Sequence, residues 1–341
     1  MGDGSTGLRW GFIGPGNIAD NVARDLTKVD GAVPHAVASR SIHRANAFAR
    51  EHGFAVAYGS YGELLADADV DVVYIATPHR QHHAVALAAI AAGKHLLVEK
   101  SFTCTLAGAC EIVDAARAAG VFCMEAMWTR FQPAIVEAHR LLSSGAIGEI
   151  RSVRADLGVR NDFDPADRLW DPGQGGGALL DLGVYTTSFV QFVLGGTPSN
   201  VDVTGTLERN GVDAESLLLW RDGRGRAGVA LCSLLSPLPG AAAVFGTEGW
   251  LEVPPRFHHP DRILVHPIGP DGRAAAPETI VAPPIGKGYA HEFIEVQRCV
   301  AAGMTESPTM PLNDTLAVMG VLDHALHTQG IHFDEDDDVP L

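Results

Sequence analysis

Three groups of residues have types and spacings that chemistry can use. Gly14, Pro15, Gly16, Asn17, Ile18 and Ala19 spell G-x-G-x-x-A directly after an apolar run that includes Trp10, Phe12 and Ile13. Gly14 permits a tight turn, Gly16 lets the backbone approach a pyrophosphate, and the small Ala19 lets a helix pack closely on the strand. N–H groups at Asn17 and Ile18 then face the phosphates. The same letters also suit an ordinary strand-turn-helix corner, but their place between a strand and an amphipathic helix favours a dinucleotide. Further on, Ser39-Arg40, with Arg44 one turn later, stands where a carboxylate would hold ribose hydroxyls. A small residue followed by Arg accommodates a 2′-phosphate, so NADP is expected rather than NAD, unless Arg40 is a solvated cation. Lys100 follows Glu99 at the end of an apolar strand, and Asp181 and Tyr185 lie four apart in the run GGGALLDLGVY. On a helix that pair leaves one face, and buried there both need partners. The spacing serves a structural pair as well as a reactive one.

The elements that must position these groups follow from periodicity. A helix is expected over Asn17–Val29, a strand over Pro34–Arg40, a helix over Ile42–Gly53, a strand over Ala55–Tyr58 and a short helix over Tyr61–Ala66. Val70–Thr77 is a near-continuous apolar strand, the pattern of a parallel sheet buried on both faces. Helix Gln81–Ala92, strand His95–Glu99, helix Leu106–Ala119 and strand Val121–Met127 complete a doubly wound α/β domain over residues 1–127. Ligands of such sheets sit at the carboxyl ends of the strands. Gly14–Asn17, Thr77-Pro78-His79, Glu99-Lys100 and Met127-Trp128 stand there.

Residues 128–333 change character. Helix Pro133–Leu142 and strand Glu149–Val159 precede an irregular stretch, Arg160–Gly177, and a helix over Ala178–Leu194. Seven strand-like segments then follow, at Asn200–Arg209, Ala214–Arg221, Arg226–Leu234, Ala241–Phe245, Trp250–Val253, Ile263–Val265 and Thr279–Val281. Short turns between them indicate a large, mostly antiparallel sheet in an α+β domain. Helices near Ala290–Ala302 and Leu312–Thr328 close it. Residues 334–341 form an acidic tail, in which the acidic run Asp334–Asp338 is expected to be solvated and mobile.

Composition narrows the function classes. A net charge of −16 over 341 residues opposes nucleic acid or anionic membranes as partners. No run approaches about 18 apolar residues, so no membrane span is expected. The start MGDGSTG lacks a charged n-region and an apolar h-region, and the five cysteines lack disulfide or zinc spacing, so a cytoplasmic protein is expected. His79, His82 and His83, the pair His258-His259, and His291-Glu292 (with Glu295 where a second His belongs) match no metal-site spacing, and no metal is expected.

The joint order of G-x-G-x-x-A, Thr-Pro-His-x-x-His at Thr77–His82, Glu99-Lys100 and Asp181-Leu-Gly-Val-Tyr185 resembles the Gfo/Idh/MocA oxidoreductase family over nearly the whole chain. Met127–Phe131, the GGGALLDLGVY run and Glu306–Leu312 resemble its branch of dimeric dihydrodiol dehydrogenases and NADP-dependent xylose dehydrogenases. The chain departs from the family's Glu-Lys-Pro at Ser101 and from a frequent Pro at Thr186. It carries Tyr185 where many relatives have His.

The resemblance implies a Rossmann domain binding NADP through Gly14, Gly16, Asn17, Ile18, Ser39, Arg40, Arg44, Thr77, Pro78, His79, His82, Glu99, Lys100 and Trp128. It implies Lys100, Asp181 and Tyr185 as catalytic groups acting on a sugar, cyclitol or trans-dihydrodiol. By their position just after the last Rossmann strand, Trp128, Arg130 and Phe131 suit a polyol or planar diol, with interdomain packing the other reading. Arg160, Phe163 and Arg168 of the irregular stretch are candidates for a substrate wall or a solvated loop. An ordinary tyrosine has a pKa of about 10, so Tyr185 needs the Lys100 cation to act as a base; Lys100 transferring the proton itself is the other assignment. A homodimer or homotetramer through the C-terminal sheet is implied as well. A non-catalytic dinucleotide or sugar sensor and a redox-neutral NAD-dependent glycosidase are the competing readings.

Overall fold

Strand-helix alternation in the first third of the chain builds a parallel sheet whose carboxyl ends carry the expected ligand loops. A computed structural model describes residues 7–198, 200–269, 271–335 and 338–341. Most of the MGDGSTG start and Asp336-Asp337 of the acidic tail lie outside the described residues. The first unit runs β1 (Leu8–Ile13), α1 (Asn17–Leu26), β2 (Ala32–Ala38), α2 (Ile42–His52), β3 (Val56–Tyr58), α3 (Tyr61–Ala66), β4 (Val72–Ile75), α4 (His82–Ala91), β5 (His95–Glu99), α5 (Leu106–Ala119) and β6 (Cys123–Ala126). The strands lie in the order β3-β2-β1-β4-β5-β6, all parallel, as in dinucleotide-binding sheets. Helix ends follow local chemistry. Ser41 caps α2, Ser60 and Glu63 form a capping box on α3, Thr105 caps α5, and Gly53 and Gly120 close α2 and α5 in the left-handed conformation.

After a 3-10 turn at Trp128–Phe131 come α6 (Pro133–Ser143) and β7 (Ile150–Gly158). The irregular stretch holds two 3-10 turns, Arg168–Trp170 and Pro172–Gln174, and a π-helical turn, Leu179–Gly183, leads into α7 (Val184–Leu194). Seven strands follow: β8 (Val201–Leu207), β9 (Asp213–Arg221), β10 (Ala227–Ser233), β11 (Ala242–Gly246), β12 (Gly249–Val253), β13 (Arg262–Pro267) and β14 (Glu278–Val281). Then come α8 (Ala290–Ala301) and α9 (Leu312–Thr328). The eight-stranded sheet has the order β14-β13-β12-β11-β7-β10-β9-β8. It is antiparallel except where β7 lies parallel to β10. One face carries α7, most of it buried. Pro172–Leu194 is long and apolar enough to cross a membrane by length and composition, yet 78% of its window is buried within the protein, as in a core helix.

Contacts group Met1–Met127, Ile285–Leu312 and Asp334–Leu341 into one compact unit, and Trp128–Pro284 with Asn313–Phe333 into the other. Ile285–Leu312, from within the 128–333 span, thus groups by contacts with the first unit. The reason is packing: Phe293 of α8 meets Trp10 edge-on at 4.5 Å and lies 6.4 Å from Phe12 and 6.3 Å from Tyr74, covering one sheet face. Within the acidic tail, the Glu335 side chain has partners in the first unit. Its Oε1 accepts from the Thr105 hydroxyl at 2.7 Å and the backbone N–H groups of Thr105 at 2.9 Å and Cys104 at 3.2 Å. Those donors gather at the start of α5 and favour a carboxylate there.

Candidate active site

In the first unit, Gly14 has φ +88, and a Cβ there would fall 2.7 Å from the Ala76 carbonyl oxygen. The β1 and β4 loops can approach this closely only with glycine. Gly16 differs: a Cβ there meets nothing nearer than 4.0 Å, so packing does not demand glycine. It precedes α1, which has no side-chain cap, and the first-turn N–H groups lack intrahelical partners. Space beside a bare helix N-terminus suits the pyrophosphate of a dinucleotide.

At the end of β2, Ser39 is buried and its Oγ accepts from the Ser41 N–H at 3.3 Å. Arg40 and Arg44 are exposed, and Arg44 also donates to the Pro15 carbonyl at 3.2 Å, tying it to the glycine turn. Burial raises the pKa of Tyr61, while the nearby Arg40 and Arg44 guanidinium groups oppose the rise. Two cations, a hydroxyl and a phenol thus surround the end of β2, a set suited to a 2′-phosphate.

The ends of β4 and β5 are tied together by His82. Its Nε2 faces the Thr77 carbonyl at 2.8 Å and its Nδ1 the Ser101 carbonyl at 2.9 Å. Burial pushes the ring down to about 4, against the pull of those carbonyls, so it is neutral and has one N–H to offer between them. Pro78 caps the turn that holds the buried His79. Glu99 is nearly buried: its Oε1 accepts from the Tyr74 hydroxyl at 2.6 Å and its Oε2 from the Lys100 N–H at 3.1 Å. The Lys100 backbone is thereby fixed, and the Lys100-Ser101 peptide is cis.

In the second unit, the expected helix exists, but Asp181 lies in its π turn and Tyr185 in the first turn of α7. π turns inside helices are frequent at functional sites. Both residues are half-buried. Asp181 accepts from Arg168 at 2.9 Å. His258 lies 5.3 Å from Tyr185 and 4.5 Å from His259, which in turn lies 5.2 Å from the ring of Trp128. These two imidazoles are the site residues that sequence reasoning set aside. Their neighbours lie far away in sequence, and the one local signal was a histidine pair flanked by prolines. Their loop is anchored by the fully buried Phe257, by the Thr129 hydroxyl donating to the His258 carbonyl at 2.9 Å, and by Arg256 in the left-handed region at φ 71.

Other expected substrate contacts fall elsewhere. Arg130 is 2% exposed. It donates to Asp314 and Gln191 at 2.6 Å each and to Ser188 at 3.4 Å, with its guanidinium over the Phe192 ring. It is an internal strut, and Phe131 is likewise buried. Arg160 is 69% exposed and pairs with Asp162, leaving Arg168 as the arginine that meets Asp181.

Comparison with known proteins gives the class. Residues 8–127 match the oxidoreductase family with an NAD-binding Rossmann fold, and residues 135–252 match the GFO/IDH/MocA C-terminal domain. The trans-1,2-dihydrobenzene-1,2-diol dehydrogenase of Danio rerio is 36% identical over 333 residues, covering 96% of this chain and 99% of its own. The Mus musculus enzyme of that name is 35% identical over 344 residues, covering 96% and 99%. A 3-ketoreductase from Actinomadura kijaniata, solved with NADP and TDP-benzene, is 27% identical with a TM-score of 0.82, covering 94% of this chain and 97% of its own. Levoglucosan dehydrogenase, solved with NADH and levoglucosan, shares the fold with a TM-score of 0.85 at 22% identity, covering 95% and 97%. The fold and fingerprint define an NAD(P)-dependent oxidoreductase. The chain belongs to the Gfo/Idh/MocA family.

Proposed function

We propose that the protein is a cytoplasmic, NADP-dependent dehydrogenase of a small polyhydroxylated substrate, a sugar, cyclitol or trans-dihydrodiol, working as a homodimer or homotetramer. Residues 1–127 bind the cofactor, and residues 128–333 supply the substrate contacts and the subunit sheet. The observation that carries the reading is the half-exposed Asp181–Tyr185 pair on a π-turned helix, flanked by Arg168 and His258. Arg40 and Arg44 beside Ser39 support NADP over NAD, and the names of the curated relatives make a trans-dihydrodiol the first substrate to try.

When bound, the nicotinamide dinucleotide supplies the hydride acceptor. Gly14, Gly16, Asn17 and Ile18 bind its pyrophosphate. Thr77, Pro78, His79, His82 and Glu99 shape the strand ends, and Trp128 offers an aromatic face. Tyr185 takes the proton of the substrate hydroxyl, and the Lys100 cation favours its phenolate. Asp181, oriented by Arg168, accepts a hydrogen bond from a second hydroxyl, which selects diols over simple alcohols. His258 and His259 complete the wall beside Tyr185.

NADP with a panel of aldoses, cyclitols and trans-dihydrodiols, followed at the NADPH absorbance, tests this. Turnover on one class is expected, with Tyr185→Phe and Lys100→Met each lowering kcat by about 10²–10⁴-fold. Tight copurified cofactor without net NADPH formation would identify a redox-neutral cycle, and binding without any turnover a sensor. Either result overturns the proposal.

A further inference from the structure

One residue outside the proposed proton-transfer set is built to control it, and the inference rests on the reading above. Asp213, the first residue of β9, is fully buried. Its Oδ2 accepts from the Leu179 N–H at 2.6 Å, where the helix carrying Asp181 and Tyr185 begins. Its Oδ1 has no partner among the described residues and lies 2.0 Å from where a Cβ on Gly177 would stand. Gly177 also has φ +127. Position 177 is therefore glycine so that this carboxyl group can reach the helix start.

We propose that Asp213 is a positioning residue: it clamps the first turn of the helix and so fixes where Asp181 and Tyr185 stand. The turn it holds is the π turn, whose backbone pattern differs from the α-helix that follows. A bond from a buried carboxylate to a backbone N–H is about twice as strong as a neutral one, so the charged clamp is the tight one. Burial pushes this carboxyl up to about 7, although the N–H groups of Leu179, Asp213 and Ala178 favour its charged form. Both forms are populated near neutral pH. Cys232 on β10 is buried and raised well above its usual value, while Glu215 lies on the same strand. On the helix side Asp181 is paired with Arg168, and β8 places Leu207 opposite.

Amide hydrogen exchange of Ala178 and Leu179, measured from pH 5.5 to 8.5 and corrected for intrinsic rates, reads the clamp without any substrate. In the wild-type protein, protection is expected to rise by about tenfold with a midpoint near the value of about 7 given above. In Asp213→Asn it stays low and flat. With the substrate found by the panel, kcat of the wild type rises through the same midpoint. Asp213→Asn lowers kcat by about tenfold, loses that limb of the pH profile, and leaves the KM for NADP within about twofold. A purely structural Asp213 would lower Tm but leave the pH profile in place, which overturns the proposal. So does wild-type protection that ignores pH. If Asp213→Asn does not fold, the wild-type exchange titration decides alone. If no polyol is turned over, the functional reading falls while the exchange titration still judges the clamp.

Discussion

Ser39 is the residue at which cofactor choice is most exposed to test. It is 6% exposed, with Arg40 and Arg44 following it at the surface. A carboxylate in its place would repel a 2′-phosphate, so Ser39→Asp is expected to raise the KM for NADP by about tenfold or more and to improve use of NAD. Unchanged initial rates with the two cofactors would remove Ser39 from that role. Arg130 shows why some residues resist reading. The glycines of the fingerprint are visible in the string because their spacing marks a local strand-turn-helix corner, although what Gly14 makes room for, the Ala76 carbonyl of the β4 loop, is distant in sequence. Arg130 acts on Gln191 and Asp314, 61 and 184 positions on. From sequence it looked like a substrate cation; in the fold it is a strut. Arg130→Met leaves Asp314 and Gln191 without it and is expected to cost about 3 kcal/mol, read as a lower denaturation midpoint. Glu292 gives a pH signature. It is fully buried, both carboxylate oxygens lack partners among the described residues, and burial, with Glu99 and Asp25 adding, holds its pKa well above the usual value. A raised carboxyl pKa gives stability that is complete below the unfolded value and is lost as pH rises toward the folded one. Glu292→Gln, neutral at every pH, is therefore expected to gain stability relative to wild type as pH rises from about 4 to 8, measured by thermal unfolding in matched buffers.

At the scale of elements, the ends were legible where capping is local, as at Ser41, Ser60, Thr105 and the glycines after α2 and α5. The π turn was not, because Asp181 and Tyr185 at a spacing of four suit an α-helix equally well. What makes that turn is the company it keeps. Gly177 admits Asp213, and at Gly183 a Cβ would lie 3.0 Å from the Cys232 sulfur on β10. The parallel pairing of β7 with β10 was equally hidden. Adjacent strands in sequence give hairpins, whereas β7 is inserted between strands that follow it by some seventy or more positions, and no local pattern encodes that partner. Gly177→Ala tests the helix start. It combines φ +127 with a Cβ 2.0 Å from Asp213 Oδ1 and is expected to destabilise the protein by about 2–4 kcal/mol, or to prevent folding. An alanine variant with wild-type Tm would show that the helix start can shift at no cost.

At the scale of the molecule, the eight-stranded sheet has two faces and this chain packs α7 on one of them. The run Leu217-Leu218-Leu219 in β9 already departs from one-sided alternation, since a strand apolar on both faces needs something on each. Leu218 is buried, whereas Leu217 is 38% and Leu219 44% exposed. Strand register places Val229, Leu231, Phe245 and Trp250 on their side of the sheet. The same register places Arg154 and Asp156 of β7 and Glu252 of β12 among them, with the Arg154 guanidinium over the Phe245 ring, so apolar groups and charges alternate on this face. Such a mixed surface with two aromatic rings suits an interface between copies of the chain, in line with the proposed dimer. Charge sets how that association responds to its medium. Each chain carries −16, so two copies repel, and salt should strengthen the dimer while leaving its apolar contact intact. Leu217→Asp combined with Leu219→Asp places two further anions on that face in each copy, at positions that reach solvent in the isolated chain. The double variant is expected to sediment as a monomer at micromolar concentration with an unchanged far-ultraviolet circular dichroism spectrum, while the wild type sediments as a dimer or larger. A double variant that stays dimeric would place the subunit contact on some other surface and leave this face of the sheet in need of a different occupant.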